Sequence, residues 1–305
     1  MNPILCIAGP TASGKTALAV ALARELNGEV VSCDSMQVYK RMDIGTAKPT
    51  LEERQGIVHH MLDVAEPEED FSVSRYCAMA TPIVEDIVAR GKTAIIAGGT
   101  GLYMDSLIKG NDFAPFPATG VRERLEKRAD SEGTDALFAE LRAVDPEAAA
   151  RIQDRKRLIR ALEVYYETGQ TITAHNRRTQ ALPPRFTPLW LGLDFMDRQT
   201  LYARIDRRVD IMLEQGLMAE IEALLASGIP EKATALQAIG YKEFVDALEG
   251  RCTVEAAADR VRQASRRYAK RQLTWFRRNK AIHWLDPAGG EILPRARQLV
   301  RDFDN

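Results

Sequence analysis

The sequence predicts an α/β fold: a parallel sheet with helices on both faces, plus an inserted helical domain. Three observations carry this reading. Short apolar runs alternate with helical patterns over residues 4–110, and a glycine-rich turn joins the first run to the first helix. A stretch without strand signals then runs from 113 to 188 before an apolar run returns at Leu189. The expected division is a core of residues 1–112 and 189–305 and an insertion of residues 113–188.

Ile4–Ala8 reads as a buried strand and residues 16–26 as an Ala/Leu-rich helix closed by Asn27-Gly28. Residues 29–33 make a second strand, residues 81–90 a helix opened by Pro82, and residues 93–97 a third strand ending in Gly98-Gly99. Pro115 and Pro117 interrupt the pattern. Beyond them Leu125, Leu137, Leu141, Ile152, Ile159 and Leu162 sit among many charges, as in short amphipathic helices. Leu189–Leu193 restores a strand. Residues 200–226 and 253–278 are long helical stretches, and residues 282–285 are a last apolar run.

Composition excludes more than it selects. The 45% apolar and 28% charged residues are those of a folded globular chain. The 42 Lys and Arg against 43 Asp and Glu give no overall positive field, so charge distribution matters more than the sum. Between Arg260 and Lys280 the chain carries nine basic residues and no acid, interleaved with Tyr268, Trp275 and Phe276, a strip suited to an RNA backbone or to a solvated helix face. Cys6, Cys33, Cys77 and Cys252 form no C-x-x-C pair, and His59-His60 has no metal-site spacing, which points to a protein of the reducing cytosol. No run reaches the roughly 18 apolar residues of a membrane span, and no charged leader precedes the first strand.

Residues Gly9-Pro10-Thr11-Ala12-Ser13-Gly14-Lys15-Thr16 fit G-x-x-x-x-G-K-[ST] between a predicted strand and a predicted helix. Such a loop turns backbone N–H groups toward phosphate oxygens. The helix N-terminus adds positive potential, Lys15 neutralises a terminal phosphate and Thr16 offers a hydroxyl to Mg²⁺. Any diphosphate would fit. A triphosphate hydrolase would carry an aspartate after an apolar strand, but residues 94–97 run into Gly98-Gly99-Thr100-Gly101. Asp34 instead ends the second strand, beside the phosphate loop, where position alone allows a helix cap or a Mg²⁺ ligand.

Seven segments in order, GPTASGKT (9–16), DSMQVY (34–39), DIGTAKP (43–49), GGTGLY (98–103), RLIRALEV (157–164), RVDIM (208–212) and QAIGYKE (237–243), resemble the tRNA dimethylallyltransferase family over nearly the whole chain. The resemblance implies a P-loop NTPase-like sheet that holds the diphosphate of dimethylallyl diphosphate with Mg²⁺, rather than ATP. It implies transfer of the prenyl group to N6 of the adenine 3′ to the anticodon. By that similarity Asp34 is the general base, Thr100 positions the base, and Arg208, with Arg204, serves the diphosphate. Arg204 and Arg208 lie four apart on one helix face and could reach the diphosphate together, with pairing to Asp206 and Asp210 in a solvated ladder as the competing assignment.

The resemblance also assigns tRNA contacts to Asp34, Ser35, Met36, Gln37, Thr100, Arg122, Lys156, Arg157, Leu158, Ile159, Arg160, Ile239, Gly240, Tyr241 and Lys242. Their task would be to grip an anticodon stem-loop whose target adenine must be pulled from the stack. The expected form is the compact bacterial one, without the zinc-finger module of many eukaryotic members, acting as a monomer away from membranes. The rival readings are a P-loop kinase of a small metabolite, a noncatalytic RNA-binding protein, and an adenylate prenyltransferase acting on free nucleotide.

Overall fold

A strand buried on both faces needs apolar or small side chains at every position rather than in alternation, and residues Ile4–Ala8 and Leu189–Leu193 read that way. The computed structural model describes residues 4–111, 119–230 and 232–304. Its strands are β1 (Ile4–Ala8), β2 (Gly28–Ser32), β3 (His59–His60), β4 (Thr93–Gly98), β5 (Leu189–Leu193) and β6 (His283–Leu285). They form one parallel sheet in the order β3-β2-β4-β1-β5-β6. β1 at its centre pairs Ala8 with Gly98 on one side and Gly192 on the other, so the chain does return to the sheet at Leu189.

Helices α1 (Lys15–Glu25), α2 (Leu51–Arg54), α3 (Val73–Ala89) and α4 (Gly101–Lys109) follow in the first part of the chain. The expectation of a helix opened by Pro82 is corrected. Ser72 caps α3 by accepting from the N–H of Arg75 at 3.2 Å, and Pro82 lies inside the helix. It is tolerated because Pro82 and Ala78, whose carbonyl loses its donor, are both on the exposed face, while Tyr76, Ala80, Val84 and Ile87 hold the other face in the core.

The chain divides into a sheet unit, which runs up to Ile108 and resumes at Arg185, and a helical unit, Lys109–Pro184. The helical unit thus starts and ends four residues before the expected 113–188; Pro115 and Pro117 lie outside the described residues. It contains α5 (Val121–Glu132), α6 (Asp135–Val144), α7 (Pro146–Arg151), α8 (Arg155–Thr168) and α9 (Ile172–Ala181) around its own core of Leu125, Leu137, Leu141, Leu158, Ile159 and Leu162.

The sheet unit continues with α10 (Arg198–Glu214), α11 (Leu217–Ala226), α12 (Lys242–Leu248), α13 (Val254–Phe276) and α14 (Ile292–Asp304). The expected single stretch 200–226 is two helices, because Gly216 takes φ +97° and ends α10. Its core gathers Leu5, Ile7, Leu22, Ile95, Leu191 and Leu299. His59 and His60 form an edge strand, with His60 Nε2 2.8 Å from Glu29 Oε2, and no group of three metal-ligating side chains occurs among the described residues. No described helix is long and apolar enough to cross a membrane.

Candidate active site

Parallel strands end together, and the crevice beyond their carboxyl ends is where such sheets bind ligands. Here β1 leads into residues 9–14, β2 into Asp34, and β4 into residues 99–101, with Ala8 opposite Gly98 and Ser32 opposite Ala97. The approach is closest at Gly98, where a Cβ would lie 1.9 Å from the Cys33 carbonyl oxygen. No aspartate fits at the end of β4. The missing acid noted in the sequence is therefore a packing requirement.

The phosphate loop is built as its pattern demands. Gly9 at φ +154° brings the backbone so near β5 that a Cβ would lie 2.7 Å from Leu193 O. Gly14 opens α1 with no side chain capping the helix N-terminus, which leaves the first N–H groups for a ligand. The Ser13 hydroxyl is buried and has no partner among the described residues. Two members of the expected set do other work. Pro10 has no N–H, and its carbonyl accepts from Lys15 Nζ at 2.6 Å; the Thr11 N–H donates to Gln272 Oε1 at 2.9 Å. Thr16 is exposed at the second position of α1.

Charge gathers around this loop. Burial, and then the nearby Arg208 guanidinium, push the Lys15 ammonium down to about 8, with Asp34 opposing. Burial also lowers Arg208, against the pull of Asp34 and Glu53. Arg204 donates through Nε to Ala12 O at 2.9 Å and lies over the Phe195 ring at 5.5 Å, so it braces the loop. The competing ladder is absent: Asp206 pairs with Arg266 at 2.6 Å and Asp210 with Arg262 at 2.6 Å, both from α13.

Asp34 Oδ1 accepts the N–H groups of Met36 at 2.8 Å and Gln37 at 3.3 Å, a local turn that leaves Oδ2 without a partner among the described residues. Thr100 Oγ1 accepts the Ser35 N–H at 3.1 Å, tying the loops after β2 and β4 together. Tyr268, expected only as an aromatic of the basic strip, stands beside them. Burial and the Asp34 charge push its phenol up to about 12, offset by hydrogen bonds to Thr100 and Gln272. Gln272 also donates to Gly99 O at 3.0 Å, and Trp275 donates to Asp105 at 2.9 Å. The spacing 268, 272, 275 marks one helix face, which was the available signal.

Other expected contacts separate into exposed and buried. Ser35, Met36, Gln37 and Ile239 are half-buried and Lys242 is exposed in the sheet unit. Tyr241 is fully buried, with its hydroxyl on Glu220 at 2.6 Å, and Gly240 is buried beside it. Within the helical unit Lys156 and Arg157 are exposed, Arg157 pairs with Asp154, and Arg122 and Arg160 share Glu163. Leu158 and Ile159 are core residues whose side chains are buried.

The basic strip on α13 is less cationic than its sequence. Arg260 pairs with Asp246, Arg262 with Asp210, Glu255 and Asp259, Arg266 with Asp206, and Arg277 with Asp194. Arg267, Lys270 and Arg271 are exposed and make no ion pair among the described residues.

Residues 37–279 match the family model described as IPP transferase. The tRNA dimethylallyltransferase of Thermoanaerobacter sp. (strain X514) is 48% identical over 285 residues, covering 92% of this chain and 90% of that protein. Among solved structures, the full-length tRNA isopentenylpyrophosphate transferase of Bacillus halodurans superposes with a TM-score of 0.73 at 41% identity, covering 99% of this chain and 98% of that one. A eukaryotic dimethylallyltransferase whose crystal structures capture it acting on tRNA gives a TM-score of 0.84 at 30% identity, covering 99% of this chain and 79% of its own.

Proposed function

We propose the following chemistry from the premise that this chain belongs to the IPP transferase family, the tRNA dimethylallyltransferases. It transfers the dimethylallyl group of dimethylallyl diphosphate to N6 of the adenine 3′ to the anticodon, giving N6-isopentenyladenosine and diphosphate. N6 attacks the allylic carbon, the carbon–oxygen bond to diphosphate breaks, and Asp34 Oδ2 takes the N6 proton. The observation that carries this reading is one carboxylate with a free oxygen set in the field of two cations, Lys15 and Arg208, beside an uncapped helix N-terminus.

Each group has one task. N6 is a poor nucleophile because its lone pair is delocalised into the ring, so proton removal accompanies attack. The N–H groups at the start of α1, Lys15 and Arg208 hold the diphosphate, and the same contacts stabilise the charge it gains on leaving. Thr16, with the oxygens of the diphosphate, is the donor set for Mg²⁺, a hard cation commonly held by one or two protein oxygens and substrate phosphates. When bound, that ion supplies further neutralisation of the leaving group. Ser35, Met36, Gln37, Ile239 and Lys242 of the sheet unit, and Arg122, Lys156, Arg157 and Arg160 of the helical unit, grip the RNA.

The direct test is nucleoside mass spectrometry of tRNA incubated with the protein, Mg²⁺ and dimethylallyl diphosphate, without any nucleotide triphosphate. Isopentenyladenosine is the expected product. Its absence, or a strict ATP requirement, overturns the reading in favour of a kinase.

Two further outcomes are expected at the substrate sites. Lys15→Ala weakens diphosphate binding by about 1.5–3 kcal/mol, the worth of a charge-assisted hydrogen bond, and spares tRNA affinity. In the wild type the affinity falls as pH rises through about 8, because binding needs the charged ammonium and the free protein loses it there. Calorimetry from pH 6.5 to 9.5 checks the sign; a flat profile removes Lys15 from the site.

Neutralising Arg267, Lys270 and Arg271 together weakens tRNA binding and flattens its salt dependence, by about 0.7–0.9 in the log–log slope for each RNA phosphate that is no longer neutralised. The same change at the ion-paired Arg260, Arg262 and Arg277 leaves the slope nearly intact. Filter binding between 50 and about 300 mM salt distinguishes the two sets.

A further inference from the structure

Glu220, on α11, lies 177 residues from the loop it organises. Its Oε2 accepts the N–H groups of Asp43 at 2.9 Å and Ile44 at 2.7 Å, and its Oε1 accepts the Gly45 N–H at 3.1 Å and the Tyr241 hydroxyl at 2.6 Å. A carboxylate that caps three consecutive N–H groups fixes a backbone segment as a helix cap does. Tyr241 closes the other side. A Cβ on Gly45 would lie 2.4 Å from its ring, so the two are packed in direct contact.

The segment so held reaches the active site through one residue. Gln37 Nε2 donates to Thr46 O at 3.3 Å and Ala47 O at 3.1 Å, while Gln37 Oε1 accepts the Ser32 hydroxyl at 3.1 Å. The Gln37 N–H in turn belongs to the pair that holds Asp34 Oδ1. Lys48 anchors the far end of the segment: its buried ammonium donates to Tyr39 O at 2.8 Å and to Asp43 and Asp63 at 2.6 Å each. A continuous path of hydrogen bonds and intervening covalent chain therefore joins α11 to the carboxylate that takes the proton.

We infer that Glu220 is a positioning residue for prenyl transfer, which acts through residues 43–47 and Gln37 to hold Asp34 in its reactive orientation. The inference rests on Asp34 as the base. Glu220 makes no contact with the phosphate loop, so its effect falls on the transfer step and not on the diphosphate.

Single-turnover transfer, diphosphate affinity and melting temperature are measured for full-length Glu220→Ala, Glu220→Gln, Gln37→Ala and the double variants. Glu220→Ala is expected to slow transfer by about 10–100-fold with diphosphate affinity unchanged, and Glu220→Gln, which keeps one acceptor oxygen, to lose less. Because both residues act along one path, the Glu220→Ala, Gln37→Ala double variant is no slower than the slower single. Additive losses, or folded Glu220→Ala within threefold of the wild-type rate, overturn the proposal. Should Glu220→Ala not fold, the cycle of Glu220→Gln with Gln37→Ala decides by the same criterion. Asp34→Asn run alongside separates the two readings: if it is slow and Glu220→Ala is not, only the positioning role fails, and if it is fast, the base assignment fails.

Discussion

Asp34→Asn cuts single-turnover prenyl transfer by about 10²–10⁴-fold, the usual worth of general-base catalysis, while both substrates still bind within a few-fold of wild type. Asparagine is the right probe because of how Asp34 is held. Its Oδ1 keeps the two N–H groups of Met36 and Gln37 after the change, so the turn survives, while an amide nitrogen that accepts no proton replaces the free Oδ2. The assay belongs near pH 7. The Asp34 charge supports protonation of Lys15, so its loss lowers that ammonium further, and diphosphate affinity is measured beside the rate to separate the two effects. A Mg²⁺ ligand at this position gives a different signature: a raised metal requirement, relieved by excess Mg²⁺. Full recovery of the rate at high Mg²⁺ overturns the base assignment.

How far the sequence carried this site depends on whether the information is local. The phosphate loop is one contiguous segment between a strand and a helix, and β1 and β5 occupy the residues their apolar runs mark out. Asp34 was visible for the same reason, since the end of a strand is a position in the chain as well as in space. Helix periodicity also found the apolar face of α8, but it does not say whether a neighbouring motif residue faces out. Leu158 and Ile159 stand beside Lys156, Arg157 and Arg160 in the chain and point into the core. Tyr241 is likewise buried, within a segment whose ends are accessible.

What escaped was the pairing of distant segments. Gln272 reaches the phosphate loop across 261 residues, Trp275 reaches Asp105 across 170, and Glu220 caps residues 43–45 from α11. Nothing in the local pattern around any of these names its partner. The acid-free run at Arg260–Lys280 overstates the local charge because several of the acids that pair with it, Asp194, Asp206, Asp210 and Asp246, come from other segments of the fold. That same pairing removes Asp206 and Asp210 as partners for Arg204 and Arg208, which turns an ambiguous helix face into a feature of the active site.

Arg208→Gln is therefore expected to cost about 10²–10³-fold in the rate of transfer, the range for removing one donor aimed at developing charge. Arg208 is half-buried and makes no ion pair among the described residues, and burial pulls its guanidinium below its ordinary value. A cation taken from water without a partner is costly to the fold, so the site is built for an anion that arrives with the substrate. Glutamine keeps a polar head near the same place and deletes the charge. The oxygen that bridges carbon and phosphorus gains negative charge as the bond breaks, so the loss falls on kcat more than on KM; a raised KM with normal kcat would mean that Arg208 only binds the ground state. A second readout is independent of turnover. Arg208 holds the Lys15 ammonium down, so its removal moves the pH at which diphosphate affinity falls upward from about 8. A variant with wild-type kcat and an unmoved pH profile removes Arg208 from both roles.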